Sequence, residues 1–177
     1  MSVVSNTTVL SNFASIGQLD LLHRLHGTLY ISTEVYEEIQ GGLEEGYQFY
    51  RGIDTLVFPL AEEGWIHLTS MADTHELRLF GTLPSRLHRG EASCLAIAHH
   101  RDWMLLTDDR DARDAALQLG IRVSGSVGSL VLAIERSLCT LQQANTWLQA
   151  MIQQGYYSPV ADLTALLKPQ GENTSGG

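Results

Sequence analysis

Residues 103–107, Trp-Met-Leu-Leu-Thr, are apolar up to the closing threonine and lie between two helix-forming patterns, residues 89–102 and 108–120. A strand without polar alternation has to be covered on both faces, as happens in a parallel sheet whose connections are helices. That requirement constrains the rest of the chain. Shorter strand-like runs recur at residues 2–5, 27–32, 65–69 and 121–123, separated by segments of helical character. The helices expected are residues 8–15, 18–26, 32–41, 73–80, 89–102, 108–120, 124–138, 140–155 and 158–167. Gly27, Gly41 and Gly120 act as stop signals, and Ser32 or Thr33 opens the third helix as its cap. Strands alternating with helices imply an α/β protein with a mainly parallel sheet covered on both faces.

The chain has 177 residues, 44% hydrophobic and 18% charged, a length and composition suited to one globular domain. The expected domain covers residues 1–168, with an irregular or helical insertion at residues 43–64, where Gly, Glu and aromatics mix. Residues 169–177 read as a flexible polar tail. No apolar run of ~18 residues offers a membrane span, and no signal peptide is recognisable, so the expected location is cytoplasmic. Cys94 and Cys139 sit in apolar helical patterns and read as structural thiols. The net charge of −9 argues against indiscriminate binding to a polyanion. Seven of the eleven basic residues nevertheless fall between positions 78 and 122, and ten of the eleven are Arg. Arg suits phosphate, and the bland alternative is a solvated face.

Ligands of open α/β sheets bind beyond the carboxyl ends of the strands, at a topological switch point. Asn6 ends the first strand, Glu37 and Glu38 lie in the helix after the second, and Glu91 opens the helix before the apolar strand. Asp108 and Asp109 directly follow that strand. Carboxylates gathered in one cleft repel one another unless a divalent cation neutralises them. Oxygen donors without Cys or His pairs at metal spacing favour Mg²⁺ or Mn²⁺ over zinc, and such an ion serves phosphodiester hydrolysis. Taken singly, Glu91 or Asp111 at a helix N-terminus is more simply a cap or dipole partner.

The segments SNTTVLSNFASIGQLDLLHRLHGTLYISTEVYEEI, RGEASCLAIAHHRDWMLLTDDRDARDAALQLGIRVSGSVGSLVLA and QQGYYSPVADLTALL resemble the PIN domain superfamily. They are most similar to its branch of small prokaryotic proteins related to the VapC toxins. GEA followed by LLTDDRDAR is the most specific part of the likeness. The resemblance implies a three-layer α/β/α sandwich, an Mg²⁺ or Mn²⁺ site of acidic residues, and endonuclease action on single-stranded RNA. It also implies a homodimer restrained by a cognate antitoxin protein. By position, Glu38, Glu91 and Asp109 would hold the ion and carry catalysis, with Asp108 able to exchange roles with Asp109 and Asn6 as a further ligand. Thr7 or Thr8, Thr107, Arg89, Arg110, Arg113 and Ser126 would contact substrate or position the ligands.

One position departs from that pattern. Most of the superfamily carries an Asp at the end of the first strand, and here the matching residue is Asn6. An amide oxygen can coordinate a metal but brings no charge and cannot act as a base. A rival expectation is therefore a catalytically weakened PIN-like nucleic-acid-binding or regulatory module. The pairs His23/His26 and His99/His100 match no metal motif and read as surface or interface histidines; His88 has a structural role in this reading. SGSVGS joins a strand to a helix start but lacks the Lys of a nucleotide-binding loop, so it reads as a capped turn near the substrate edge. The three tryptophans read as core or interface residues, and Tyr156 and Tyr157 as partner contacts.

Overall fold

The apolar run becomes β5 (Met104–Leu106), which lies beside the first strand, β1 (Val3–Ser5), in the interior of the sheet. The computed structural model describes residues 1–167; the tail expected at residues 169–177 lies outside them. The other strands are β2 (Leu29–Ser32), β3 (Val57–Phe58), β4 (Ile66–Thr69) and β6 (Val123–Ser124). The order is β3-β4-β2-β1-β5-β6, and every pairing is parallel. Val4, Leu105 and Leu106 are all but inaccessible to solvent, as a strand covered on both sides requires.

The helices are α1 (Thr7–Ser15), α2 (Leu19–His26), α3 (Thr33–Glu44), α4 (Thr74–Thr82), α5 (Arg89–Arg101), α6 (Arg110–Gln118), α7 (Ser126–Glu135) and α8 (Leu141–Gln153). On one face α5 packs against α3, α4 and α6; on the other α7 packs against α2 and α8, and α1 joins them. The result is the three-layer α/β/α sandwich. α5 is buried continuously from Gly90 to Ala98, because small residues let it lie close to the sheet.

Three expectations need correction. α3 does not stop at Gly41 but continues to Glu44, since neither Gly41 nor Gly42 adopts a left-handed backbone. Gly42 is needed for packing instead: a Cβ there would come within 3.2 Å of the Tyr47 ring and 3.3 Å of the Tyr50 ring. The insertion has helical character in two short 3-10 turns, Gln48–Tyr50 and Ile53–Leu56, but it also adds a strand that was not expected, because Val57 and Phe58 extend the sheet by pairing with Ile66 and His67. The last helix is reduced to a short 3-10 turn at Thr164–Leu166. Asn145 of α8 accepts from the Leu163 N–H through Oδ1 at 2.9 Å and donates through Nδ2 to the Asp162 carboxylate at 2.9 Å, which fixes that segment by side-chain bonds rather than helical ones.

Glu76 of α4 is 2% exposed and receives Arg101 through Nε at 2.5 Å and Nη2 at 3.0 Å. The same guanidinium donates to Thr69 Oγ1 and the Ser70 carbonyl, tying α4 and α5 to the end of β4. Arg101 holds the Glu76 carboxyl below its ordinary range, so the pair stabilises the fold above the carboxylate's unfolded pKa and that contribution fades as pH falls through the lowered one. Arg101→Leu strands a buried carboxylate and is expected to lower stability by about 3 kcal/mol, the lower end for a buried pair because Arg101 is partly exposed. Urea denaturation near neutral pH measures the loss, and the gap to wild type is expected to narrow in acid.

Candidate active site

A parallel sheet sends every strand's carboxyl end to one edge. Ser5 is level with Leu106, and Leu106 with Ser124, so the helices that follow these strands all start side by side. The chain leaves β1 toward β2 on one side and leaves β5 toward β6 on the other, which makes the β1/β5 gap the switch point of the sheet. Unpaired N–H groups accumulate there and call for acceptors.

Asn6 is the N-cap of α1 and is 1% exposed. Its Oδ1 accepts from the Thr8 N–H at 3.1 Å and the Thr8 hydroxyl at 2.7 Å, and its Nδ2 donates to Thr107 Oγ1 at 2.6 Å across the switch point. Thr107 Oγ1 also accepts from the Asp109 N–H at 3.1 Å, and Thr8 Oγ1 from the Asp108 N–H at 2.8 Å. The two threonines thus lock the ends of β1 and β5 together through this amide.

Asp109 caps α6, its Oδ1 accepting from the Ala112 N–H at 2.8 Å. Glu91 sits in the first turn of α5, 7% exposed, and its Oε2 accepts from the His88 N–H at 2.9 Å. Glu38 of α3 receives the Gly90 N–H at 2.9 Å and the Thr7 hydroxyl at 2.5 Å. Gly90 makes this approach possible, for a Cβ there would stand 2.6 Å from Glu38 Oε1. Burial, and then the charges of Asp109 and Glu38, push the Glu91 carboxyl above its ordinary range. The three carboxylates therefore lie near enough for Glu91 to feel the charges of the other two.

Asp108 belongs to a separate network. Its side chain accepts from the Ser126 N–H at 2.8 Å, the Ser126 hydroxyl at 2.5 Å, Asn12 Nδ2 at 2.9 Å and the Tyr156 hydroxyl at 3.3 Å. Asp108 serves as the acceptor that the Gly125 cap of α7 cannot supply, and both polar groups of Ser126 are committed to it. Glu37 is exposed on α3. Arg89 is exposed at the start of α5, its guanidinium 6.0 Å from the Phe80 ring centre, while Asp111 pairs with Arg86 at 3.5 Å on the surface. Arg110 and Arg113 line a cleft of about 510 Å³ with Tyr156 and Tyr157, and Arg113 is steadied by a 2.9 Å bond to the Thr107 carbonyl.

Sequence reasoning missed Asn12 and Gly90. Asn12 stands four residues after Thr8 and so shares its face of α1, a spacing that placed it at the same edge. The Gly before Glu91 was visible as part of a motif, but its use as a backbone donor to Glu38 depends on how α3 and α5 pack.

As candidate ligands for a hard divalent cation, Glu38, Glu91 and Asp109 fit in kind. Glu91 Oε1 and Asp109 Oδ2 take up no hydrogen bond among the described residues. Asn6 does not fit, because both lone pairs of its carbonyl are occupied. Among the described residues no group of three His, Cys, Asp or Glu side chains converges closely enough to hold one ion.

An acidic edge at the switch point of an all-parallel sandwich, flanked by a cleft with two arginines, defines the class as a PIN-fold protein. The chain belongs to the PIN domain family: residues 2–172 match the family model described as "DUF3368: PIN domain". Members of that family are usually metal-dependent nucleases. A solved structure of a PilT N-terminus domain protein, SSO1118, from the hyperthermophilic archaeon Sulfolobus solfataricus P2 shares the fold. The TM-score is 0.51 at 13% identity, over 76% of this chain and 95% of that one. No curated protein matches the sequence. Among the described residues no helix is long and apolar enough to cross a membrane.

Asn6→Ala removes a cap and the β1/β5 tie together and is expected to lower stability by about 2 kcal/mol. Asn6→Asp keeps the cap, with the Thr107 hydroxyl turned to donate, but buries a further carboxylate, and is expected to cost about 1–3 kcal/mol near neutral pH and less in acid. Chemical denaturation checks both. Glu91 has a raised folded pKa, so its contribution to stability is greatest below its unfolded pKa and declines as pH rises through the folded one. Glu91→Gln escapes that decline. In EDTA its melting temperature is expected to exceed that of wild type near neutral pH and to converge with it in acid.

Proposed function

We propose that this protein is a divalent-metal-dependent endoribonuclease that cleaves single-stranded RNA, with Glu38, Glu91 and Asp109 as the acidic residues that hold Mg²⁺ or Mn²⁺. The observation that carries this reading is that the helix starts at the carboxyl edge of the sheet set Glu38, Glu91 and Asp109 near one another, with Glu91 Oε1 and Asp109 Oδ2 free of hydrogen bonds among the described residues. When bound, such an ion supplies a water of lowered pKa and neutralises charge on a phosphoryl oxygen. The chain's own residues orient the site: the Gly90 N–H and the Thr7 hydroxyl aim Glu38, the α6 start fixes Asp109, and Thr107 sets the spacing between β1 and β5. Arg110 and Arg113 in the adjoining cleft suit backbone phosphates. The reading includes a role as the toxin of a toxin–antitoxin pair, held in check by a cognate antitoxin protein, and a homodimer; both rest on the likeness to the VapC branch.

A second reading, a catalytically weakened nucleic-acid-binding or regulatory module, is favoured by one observation. Asn6 spends its whole amide on structure, so the fourth charge that a carboxylate would bring is missing.

Cleavage of a mixed single-stranded RNA by the purified protein with Mn²⁺ or Mg²⁺ distinguishes the two. The nuclease reading expects activity that EDTA, Asp109→Asn and Glu91→Gln each abolish. Gly90→Ala is expected to lower the rate at least about tenfold, because it displaces Glu38, while stability changes by no more than about 1 kcal/mol, the gain in helix propensity offsetting the lost Glu38 bonds. Silence in wild type with activity gained in Asn6→Asp supports the weakened module, and silence in both, under either metal, sinks the nuclease reading.

A further inference from the structure

The segment after α3 has a use beyond extending the sheet. Its short 3-10 turn, Gln48–Tyr50, folds back on the end of α3 and brings Tyr47, Phe49 and Tyr50 into one aromatic wall. Ring centres stand 5.7 Å apart for Tyr47 and Phe49 and 4.6 Å apart for Phe49 and Tyr50. Together with Ser11, Glu38, Gly41 and Glu45 this wall encloses a cavity of about 450 Å³ that opens beside the acidic edge. Tyr47 is 52% exposed and Phe49 36%, so two large rings face solvent where a monomer normally hides them.

Tyr50 is different. It is 3% exposed, and its hydroxyl is buried without a hydrogen-bond partner. The Ser11 hydroxyl beside it donates to the Thr8 carbonyl at 2.9 Å. Burial pushes the phenol up to about 12, opposed by the neighbouring Ser11 hydroxyl and aided by the charge of Glu38, so it remains neutral at any working pH. The hydroxyl is closed to solvent, so what Tyr50 presents to the cavity is its ring.

The lining selects the ligand. No basic side chain borders the cavity and two carboxylates do, which disfavours phosphate. An apolar side chain would leave the two carboxylates without a donor. A nucleobase offers flat faces to the rings and, if it carries an exocyclic amine, donors to Glu38 and Glu45. We propose that this cavity receives one unpaired, amino-bearing nucleobase of the RNA and so holds the strand against Glu38, an inference that rests on the ribonuclease reading above. Base pairing would hide the edge that the cavity needs, so the strand has to be single. The neighbouring cleft with Arg110 reaches the same helix at Ser11, which gives the strand a continuous path.

Gly41 supplies the test, because a Cβ there would meet no atom within 4 Å. Gly41→Leu fills the cavity without disturbing the fold and favours the helix. Binding of short fluorescein-labelled oligoadenylate, oligocytidylate and oligouridylate is followed by anisotropy in EDTA, where cleavage plays no part. Wild type is expected to hold the first two more tightly than the third, and Gly41→Leu to weaken them about tenfold with an undiminished melting temperature. Phe49→Ser removes an exposed ring of the wall and is expected to weaken them several-fold as well, with little change in melting temperature. Unchanged affinity in Gly41→Leu overturns the inference and leaves a partner protein's side chain as the occupant. So does absence of binding by wild type, or equal affinity for the three oligonucleotides. The ribonuclease reading is decided separately by the cleavage assay: weakened binding in both variants of a protein that cleaves nothing would uphold the cavity and sink the enzyme.

Discussion

The parallel register that sets Ser5 level with Leu106 and Leu106 level with Ser124 governs everything at the acidic edge. It collects the starts of α1, α6 and α7 in one place, and each start exposes N–H groups that need acceptors. Asn6, Asp109 and Asp108 answer that need, and Glu91 does the same within the first turn of α5. Helix dipoles with their positive ends converging make the edge tolerant of negative charge. An acidic site there is thus compatible with the fold before any metal is considered.

Asn6 illustrates how structure and chemistry compete for one residue. A carboxylate at this position would cap α1 equally well, but it could not donate to Thr107 Oγ1. The amide supplies that donor at 2.6 Å and joins the carboxyl ends of the two central strands. Fewer charges repel at the switch point as a result. The cluster that remains, Glu38 with Glu91 and Asp109, is spread over three helices, so its spacing is set by how α3, α5 and α6 pack rather than by one loop.

Much of the fold was legible in the sequence because its signals are local. The apolar run at residues 103–107, the stops at Gly27 and Gly120 and the alternation of strand and helix all follow from short-range physics, and each appears in the structure. The failures share a cause. Gly41 and Gly42 look like a helix end until the Tyr47 and Tyr50 rings are seen to need the space beside Gly42. The two-residue strand Val57–Phe58 exists only because β4 offers an open edge, and the final segment is held by Asn145 instead of by its own periodicity.

By itself the sequence determined the family, the strand–helix alternation and the placement of Glu91, Asp108 and Asp109 next to strand and helix ends, since propensity, capping and motif spacing are properties of neighbouring residues. Tertiary structure alone decided that Asp108 turns to Ser126 and Tyr156 while Asp109 joins Glu91 and Glu38. It also decided that Gly90 aims Glu38 and that an aromatic cavity opens beside it. Adjacent aspartates are indistinguishable in a sequence; the direction each carboxylate takes depends on which N–H groups lie within hydrogen-bonding reach, and those come from helices far away along the chain.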